Sequence, residues 1–238
     1  LLCILPVTIR NRIVSGAWVP ISVNAGVNLY VGNNPDTATA LAIRPNQDWN
    51  RLLRMPFAAG TRSAADGDQW FVRRVAAYAK SDPAGFVTNL GRKALELVNG
   101  HEMPRNMSIY AYRDRSPWLG ALVWKLGGFG FPFSLLLPFA VLGLFAAARR
   151  SVETRVMTSF VVLYACSIIV FFPADRYRLP LLPVLMIFAV AGALSLVDSA
   201  HKPRTISLMA GILLVSAIVA SLPLKFATDG IPFDAELD

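Results

Sequence analysis

Charge is what this sequence has least of. Only 16% of its 238 residues are charged while 55% are hydrophobic, whereas soluble domains carry charge at roughly a quarter of positions. That balance, with a positive mean hydropathy, excludes an ordinary soluble domain and implies a membrane protein. Cysteine occurs twice, as Cys3 and Cys166. Both lie in apolar stretches, so neither a disulfide framework nor a thiolate metal site is supported, and they are expected to be small buried hydrophobes. Histidine also occurs twice. His101 and Glu102 are adjacent, but the second histidine that a zincin helix needs is missing. No phosphate-binding glycine loop, dinucleotide fingerprint or nucleophile elbow occurs, which excludes a soluble nucleotide-dependent enzyme. Nucleic-acid binding has no motif behind it.

Long hydrophobic runs are present instead, and nearly all lie after Gly127. Four windows, Gly130 to Ala148, Val156 to Pro173, Leu179 to Val197 and Ile206 to Leu224, contain no charged side chain. Each approaches the roughly 20 apolar residues that cross a hydrocarbon core. The connections "RRSVETR" and "DSAHKPR" are short and basic, so the positive-inside rule puts both in the cytoplasm. The loop "ADRYR", the tail 226–238 and the long segment before the first window then face the outside. The net charge of +8 suits an anionic partner, although basic residues also gather beside spans as topology determinants.

The expected fold is mainly α and integral to the membrane: four transmembrane helices on the C-terminal side, preceded by a mixed α/β, loop-rich extracytoplasmic segment. The expected divisions are residues 1–8, the end of a truncated transmembrane helix; 9–128, the outer segment; 129–225, the four spans; and 226–238, an outer tail. The opening "LLCILPVTIRNR", without Met and with seven apolar residues before the first charge, reads as the last turns of a helix that begins upstream. From Ile13 to Ala38, β-branched and aromatic residues alternate between Gly16, Pro20, Gly26 and "GNNP", which predicts short strands and turns. From Asp66 the period becomes helical, with Phe71, Val72, Val75, Ala76 and Ala79 on one face. A second helix carries Phe86, Leu90 and Leu97, with Ser81 or Asp82 as its cap, Pro83 in its first turn and Gly100 closing it.

The candidate binding residues are polar groups expected in the outer layer. Asn33 and Asn34 suit a turn before a short helix, or contacts to sugar hydroxyls or a phosphate. Arg105, Arg113 and Arg115, with Tyr110, Tyr112, Trp118 and Trp124, form a basic and aromatic band that fits a membrane interface. Residues 106–108 match a glycosylation sequon. Arg176 and Arg178, in a tight outer hairpin from Pro173 to Arg178, serve either as snorkelling anchors or as a guanidinium site for a phosphate, with Tyr177 beside them as an interfacial residue. Arg10 and Arg12 belong to the same outer layer.

Taken in order, "LPVTIRNR", "GVNLYVGNNP", "NGHEMPRNMSIYAYR" and "FFPADRYRLPLLPVLMIFA" resemble the C-terminal half of bacterial polytopic glycosyltransferases of the dolichyl-phosphate-mannose-protein mannosyltransferase-like, C-type class. The resemblance implies an inner-membrane enzyme that moves a sugar from a polyprenyl-phosphate carrier to an external acceptor. Its partners would be that lipid donor, the bilayer and a saccharide, lipid or protein acceptor. Such enzymes are similar in having a catalytic aspartate in the first external loop, expected upstream of this sequence, so the resemblance assigns no catalytic residue here. It is compatible with Arg10, Arg12, Asn33, Asn34, Arg105, Arg176, Tyr177 and Arg178 as substrate-binding residues. It fixes no cofactor, and no complete metal-ligand set is legible. A transporter or flippase component handling lipid-linked saccharides and an assembly scaffold are the competing readings, the transporter disfavoured by spans without ionisable residues.

Overall fold

A computed structural model describes residues 3–19, 23–43, 47–103, 109–113, 115–147 and 151–224. Arg105, the sequon at 106–108 and the tail 226–238 lie outside the described residues. The chain is mainly helical. Its elements are α1 Leu5–Ser15, α2 Ala25–Gly32, α3 Thr37–Ala42, α4 Gln47–Ala58, α5 Ala64–Ser81, α6 Pro83–Val98, α7 Ile109–Arg113, α8 Pro117–Leu122, β1 Trp124–Leu126, β2 Phe129–Phe131, α9 Phe133–Ala147, α10 Val152–Val170, α11 Asp175–Arg178, α12 Leu182–Ser199 and α13 Pro203–Ala220. The chain divides into two compact units, residues 1–89 and 90–238, with the boundary inside α6.

In the first unit no strand forms among the described residues between Ile13 and Ala38; the end of α1, all of α2 and the start of α3 fall in that stretch instead. The reason lies in burial. Val27 and Val31, four residues apart, are both buried on one side of α2, and Phe71 and Val75 are buried on α5, with Tyr30 against Phe71 at a ring separation of 5.3 Å. A four-residue period packed against another helix overrides the strand propensity of valine and tyrosine. Ser63 starts α5 by accepting from the Asp66 N–H at 3.1 Å. Asp82 rather than Ser81 caps α6, its Oδ1 accepting from Gly85 N–H at 2.9 Å.

The second unit contains a two-stranded antiparallel ribbon, pairing Trp124 with Phe131 and Leu126 with Phe129, and four apolar helices. These four, α9, α10, α12 and α13, fall on the four hydrophobic windows. Two of them, Val152–Val170 and Pro203–Ala220, are long and apolar enough to cross a membrane; the apolar stretches Phe133–Ala147 in α9 and Leu182–Asp198 in α12 are shorter. At 1.5 Å per residue, α9 reaches only about 22 Å. A Ser151–Thr154 capping box starts α10.

The closest helix contact is between α9 and α12. A Cβ on Gly143 would lie 1.8 Å from the Phe188 carbonyl oxygen, and one on Gly192 2.2 Å from that of Phe139, so only glycine permits this parallel approach. Around it Leu137, Ala140, Leu185 and Phe188 form the core. The outward faces stay apolar, with Leu163, Val190, Leu194 and Leu214 all exposed. Cys3 and Cys166 are likewise exposed, against the expectation of burial.

Candidate functional site

The N-termini of α9 and α12 and the C-termini of α10 and α13 gather at one end of the second unit, beside the end of α6. Helix C-termini leave carbonyls without intrahelical donors, and α6 and the residues after it supply them. The Lys93 ammonium donates to the carbonyl oxygens of Phe171 at 3.0 Å and Val170 at 3.4 Å, past the end of α10. Gly100 N–H donates to Ala220 O at 2.7 Å, Ser134 Oγ to the same oxygen at 3.2 Å, and Asn99 Nδ2 to Leu222 O at 2.8 Å. A Cβ on Gly100 would meet Ser134 Oγ at 1.9 Å, so the backbone must come this close for the network to close. Lys93 and Asn99 are completely buried, and Glu96 nearly so.

Burial, with Arg92 as a second cause, pulls the Lys93 ammonium down to about 7. Glu96 forms an ion pair with Arg92; burial nevertheless raises its carboxyl above the ordinary range. These buried polar residues were not among the sequence-read candidates. Asn89, Lys93 and Glu96 recur at three- and four-residue spacing on the face that also carries Leu97, and that shared spacing was the available signal.

The hairpin expected from Pro173 to Arg178 contains one helical turn, α11, and its two arginines part company. Arg176 is exposed, lies over the Tyr177 ring at 5.0 Å and donates to the Tyr177 hydroxyl at 3.2 Å. Arg178, expected at the membrane surface, is instead only 3% exposed. Its Nη2 donates to the Glu96 carbonyl at 2.6 Å and to the His101 carbonyl at 3.4 Å. Its guanidinium lies 4.6 Å from the centre of the Phe133 ring, and Nη1 stands 3.9 Å from Glu102 Oε2. Among the described residues, Nε and Nη1 have no hydrogen-bond partner. The correction has a plain cause: the end of α6 presents two carbonyl oxygens that only a long cationic side chain from α11 reaches.

Asp175 completes the group. Its backbone N–H donates to Met103 O at 3.2 Å, and its Oδ1 accepts from Met103 N–H, so the two segments clasp each other. Burial pushes the Asp175 carboxyl up to about 7, with the neighbouring Glu102 charge adding and Arg178 opposing. Desolvation pulls Arg178 below the ordinary guanidinium value, while Glu102 and Asp175 hold it up. The Tyr110 hydroxyl accepts from Glu102 N–H at 3.4 Å and is raised by burial.

These groups border a cavity of about 420 Å³, within the range that takes small ligands. Its lining includes the charged residues Glu102, Asp175, Arg176 and Arg178 and the apolar residues Phe133, Leu136, Leu179, Leu182 and Met186. Leu179 and Met186 are more than half exposed, so the apolar wall runs onto the outer face of α12. No family model, curated protein or solved structure matches this chain. Among the described residues no group of three or more His, Cys, Asp or Glu side chains is placed to hold a metal ion.

Arg10, Arg12, Asn33 and Asn34 fall in the first unit. Arg10 and Arg12 are exposed on α1, and Arg12 lies over the Trp18 ring at 5.5 Å. Asn33 and Asn34 are buried, and their amides close the turn: Asn33 Nδ2 donates to Leu29 O, Asn34 Nδ2 to Tyr30 O, and Asn34 Oδ1 accepts from Asp36 N–H. Of the two alternatives read from the sequence for this pair, the bonds are those of a turn.

Proposed function

We propose that this chain belongs to an integral membrane glycosyltransferase that takes a sugar from a polyprenyl-phosphate carrier and passes it to an acceptor on the outer side of the inner membrane, with all four apolar helices embedded and the α6 end at the outer rim. The observation that carries the reading is the mixed lining of the cavity: charged side chains together with apolar ones, of which Leu179 and Met186 are exposed. A lipid-linked sugar has the same polarity pattern, with an apolar chain for the α12 face and an anionic phosphate for guanidinium groups. The short basic connections at the opposite ends of these helices favour a cytoplasmic side there, which supports a reading with the cavity at the outer rim.

Arg178, whose Nε and Nη1 have no partner among the described residues, and the exposed Arg176 supply positive charge where the phosphate departs. The test is binding of labelled polyprenyl phosphate to the protein in lipid nanodiscs, with transfer measured from polyprenyl-phosphate mannose. Arg178→Lys keeps the charge but loses the fork, and should weaken binding at least about tenfold, the equivalent of one charge-assisted hydrogen bond. Arg176→Ala, at an exposed position, tests the same binding without disturbing the core. Carrier affinity unchanged in both variants would rule out this site for the phosphate, and binding without any transfer would favour a carrier or scaffold role.

A further inference from the structure

Two acids, Glu102 and Asp175, line the cavity together with the two arginines. A phosphate gains nothing from carboxylates beside it, because like charges repel and an ionised carboxylate donates no hydrogen bond. The backbone nevertheless fixes both acids in place. Glu102 N–H donates to the Tyr110 hydroxyl at 3.4 Å, Met103 N–H donates to Asp175 Oδ1, and Asp175 N–H donates to Met103 O at 3.2 Å. Arg178 Nη1 stands 3.9 Å from Glu102 Oε2, beyond hydrogen-bonding distance. Among the described residues, its Nε and Nη1 have no hydrogen-bond partner, although Arg178 is only 3% exposed. Buried donors without partners are rare, and the cavity that Arg178 lines offers a place for an acceptor.

A hydroxyl suits such a setting, because its oxygen accepts from a guanidinium while its proton goes to a carboxylate. A phosphate oxygen can do only the first. An ammonium can do only the second, and would stand against the Arg178 charge. On a glycosyl phosphate the ring hydroxyls lie beside the anomeric phosphate, and here Glu102 lies beside Arg178. We infer that Glu102 and Asp175 form a sugar subsite, in which their carboxylate oxygens accept from hydroxyls of the carrier-borne sugar and so decide which sugar the cavity takes. This role rests on the sugar-transfer reading and divides the site: the arginines hold the phosphate and the acids read the sugar. A few placed polar groups in a mainly apolar cavity are how orientation and specificity are ordinarily set, and the two acids act here by binding alone.

The test measures affinity, in lipid nanodiscs, for polyprenyl phosphate and for the same carrier bearing mannose, glucose or galactose. In the wild type at least one of these sugars should tighten binding about tenfold or more over the bare phosphate, the worth of one charge-assisted hydrogen bond. Glu102→Gln and Asp175→Asn keep the size of each side chain, and Asn retains an oxygen to accept from Met103 N–H. Each should cut that sugar preference about fivefold or more, while affinity for the bare phosphate stays within about twofold of wild type or tightens, a negative charge having been removed beside it. Deoxy analogues of the preferred sugar test the contact itself: at least one should bind the wild type more weakly than the parent sugar does, yet bind one of the variants no more weakly than the parent. A sugar preference unchanged in both variants overturns the subsite even where the bare carrier binds. An equal loss for bare and sugar-bearing carrier also overturns it, and would leave the acids as supports for Arg178 and Met103. A wild type that binds no carrier at all overturns the transfer reading and the subsite with it.

Discussion

Helices α5 and α6 follow one another, are 18 and 16 residues long, and fill their buried faces in opposite ways. On α5 the buried residues are Gly67, Phe71 and Val75, and burying an aromatic or valine side chain contributes about 1.5–3 kcal/mol by removing apolar area from water. On α6 they include Asn89, Lys93 and Glu96 beside Leu97. Burying an ammonium costs free energy unless it is paired, and Lys93 meets that cost by bonding the carbonyls past the end of α10. One helix is held by what it removes from water. The other is held by what other helix ends lack.

The largest effect that would sharpen this contrast is on α5. Phe71 is only 3% exposed and contacts Tyr30 and Trp70. Phe71→Ala should cost about 3–5 kcal/mol through lost burial and the cavity left behind, with little dependence on pH. Thermal or denaturant unfolding of the detergent-solubilised protein at two pH values would read it. A loss below about 1 kcal/mol would mean that the α2–α5 contact does not hold the first unit together.

Next in size is Lys93→Met, which keeps the length and removes the donor 3.0 Å from Phe171 O. A buried carbonyl left unsatisfied costs roughly 1–3 kcal/mol. Here pH matters, and its sign is fixed. The folded Lys93 titrates near 7 against an ordinary 10.5, so between those values the unfolded chain binds more protons and wild-type stability rises with pH. The Met variant lacks that rise, so the gap between the two proteins should be wider at pH 9 than at pH 6. Asp175 works in the other direction: its folded value near 7 against an ordinary 3.8 means that stability falls as pH climbs through that window. A Lys93→Met gap that is flat with pH would show that the ammonium is not the group being desolvated.

Much of the architecture was legible because apolar periodicity is a long-range average. The four hydrophobic windows became α9, α10, α12 and α13, and the two amphipathic helices before them formed with Pro83 at the start of α6 as expected. The Ile13 to Ala38 stretch misled because residue type was weighed above spacing: Val27 and Val31 fit a helix turn as well as their β-branching fits a strand. The candidate site was half legible. "ADRYR" drew notice as charge between two apolar runs, but nothing in it distinguishes Arg176, which stays outside, from Arg178, which turns inward. That choice depends on the Glu96 and His101 carbonyls, some 80 residues earlier in the chain. Lys93, Glu96 and Asn99 escaped notice for a related reason, since a charged residue on a helix is ordinarily solvated and its burial is decided by helix ends elsewhere.

The smallest effect tests how finely a face can be drawn. The sequence pattern put Val72 on the same face of α5 as Phe71 and Val75, yet Val72 is 42% exposed, while Val75 is 7% exposed. A 100° step per residue separates neighbours on a helix, so Phe71 and Val75, four apart, share a side that Val72 only borders. Val72→Ala should therefore change stability by no more than about 0.5 kcal/mol, as surface substitutions do. Val75→Ala, deleting two buried methyl groups, should cost more than 1 kcal/mol. Equal losses at the two positions would mean that α5 is covered on both sides, and its exposed flank, with Arg73 and Arg74 beside Val72, would then be a packed surface rather than a solvated one.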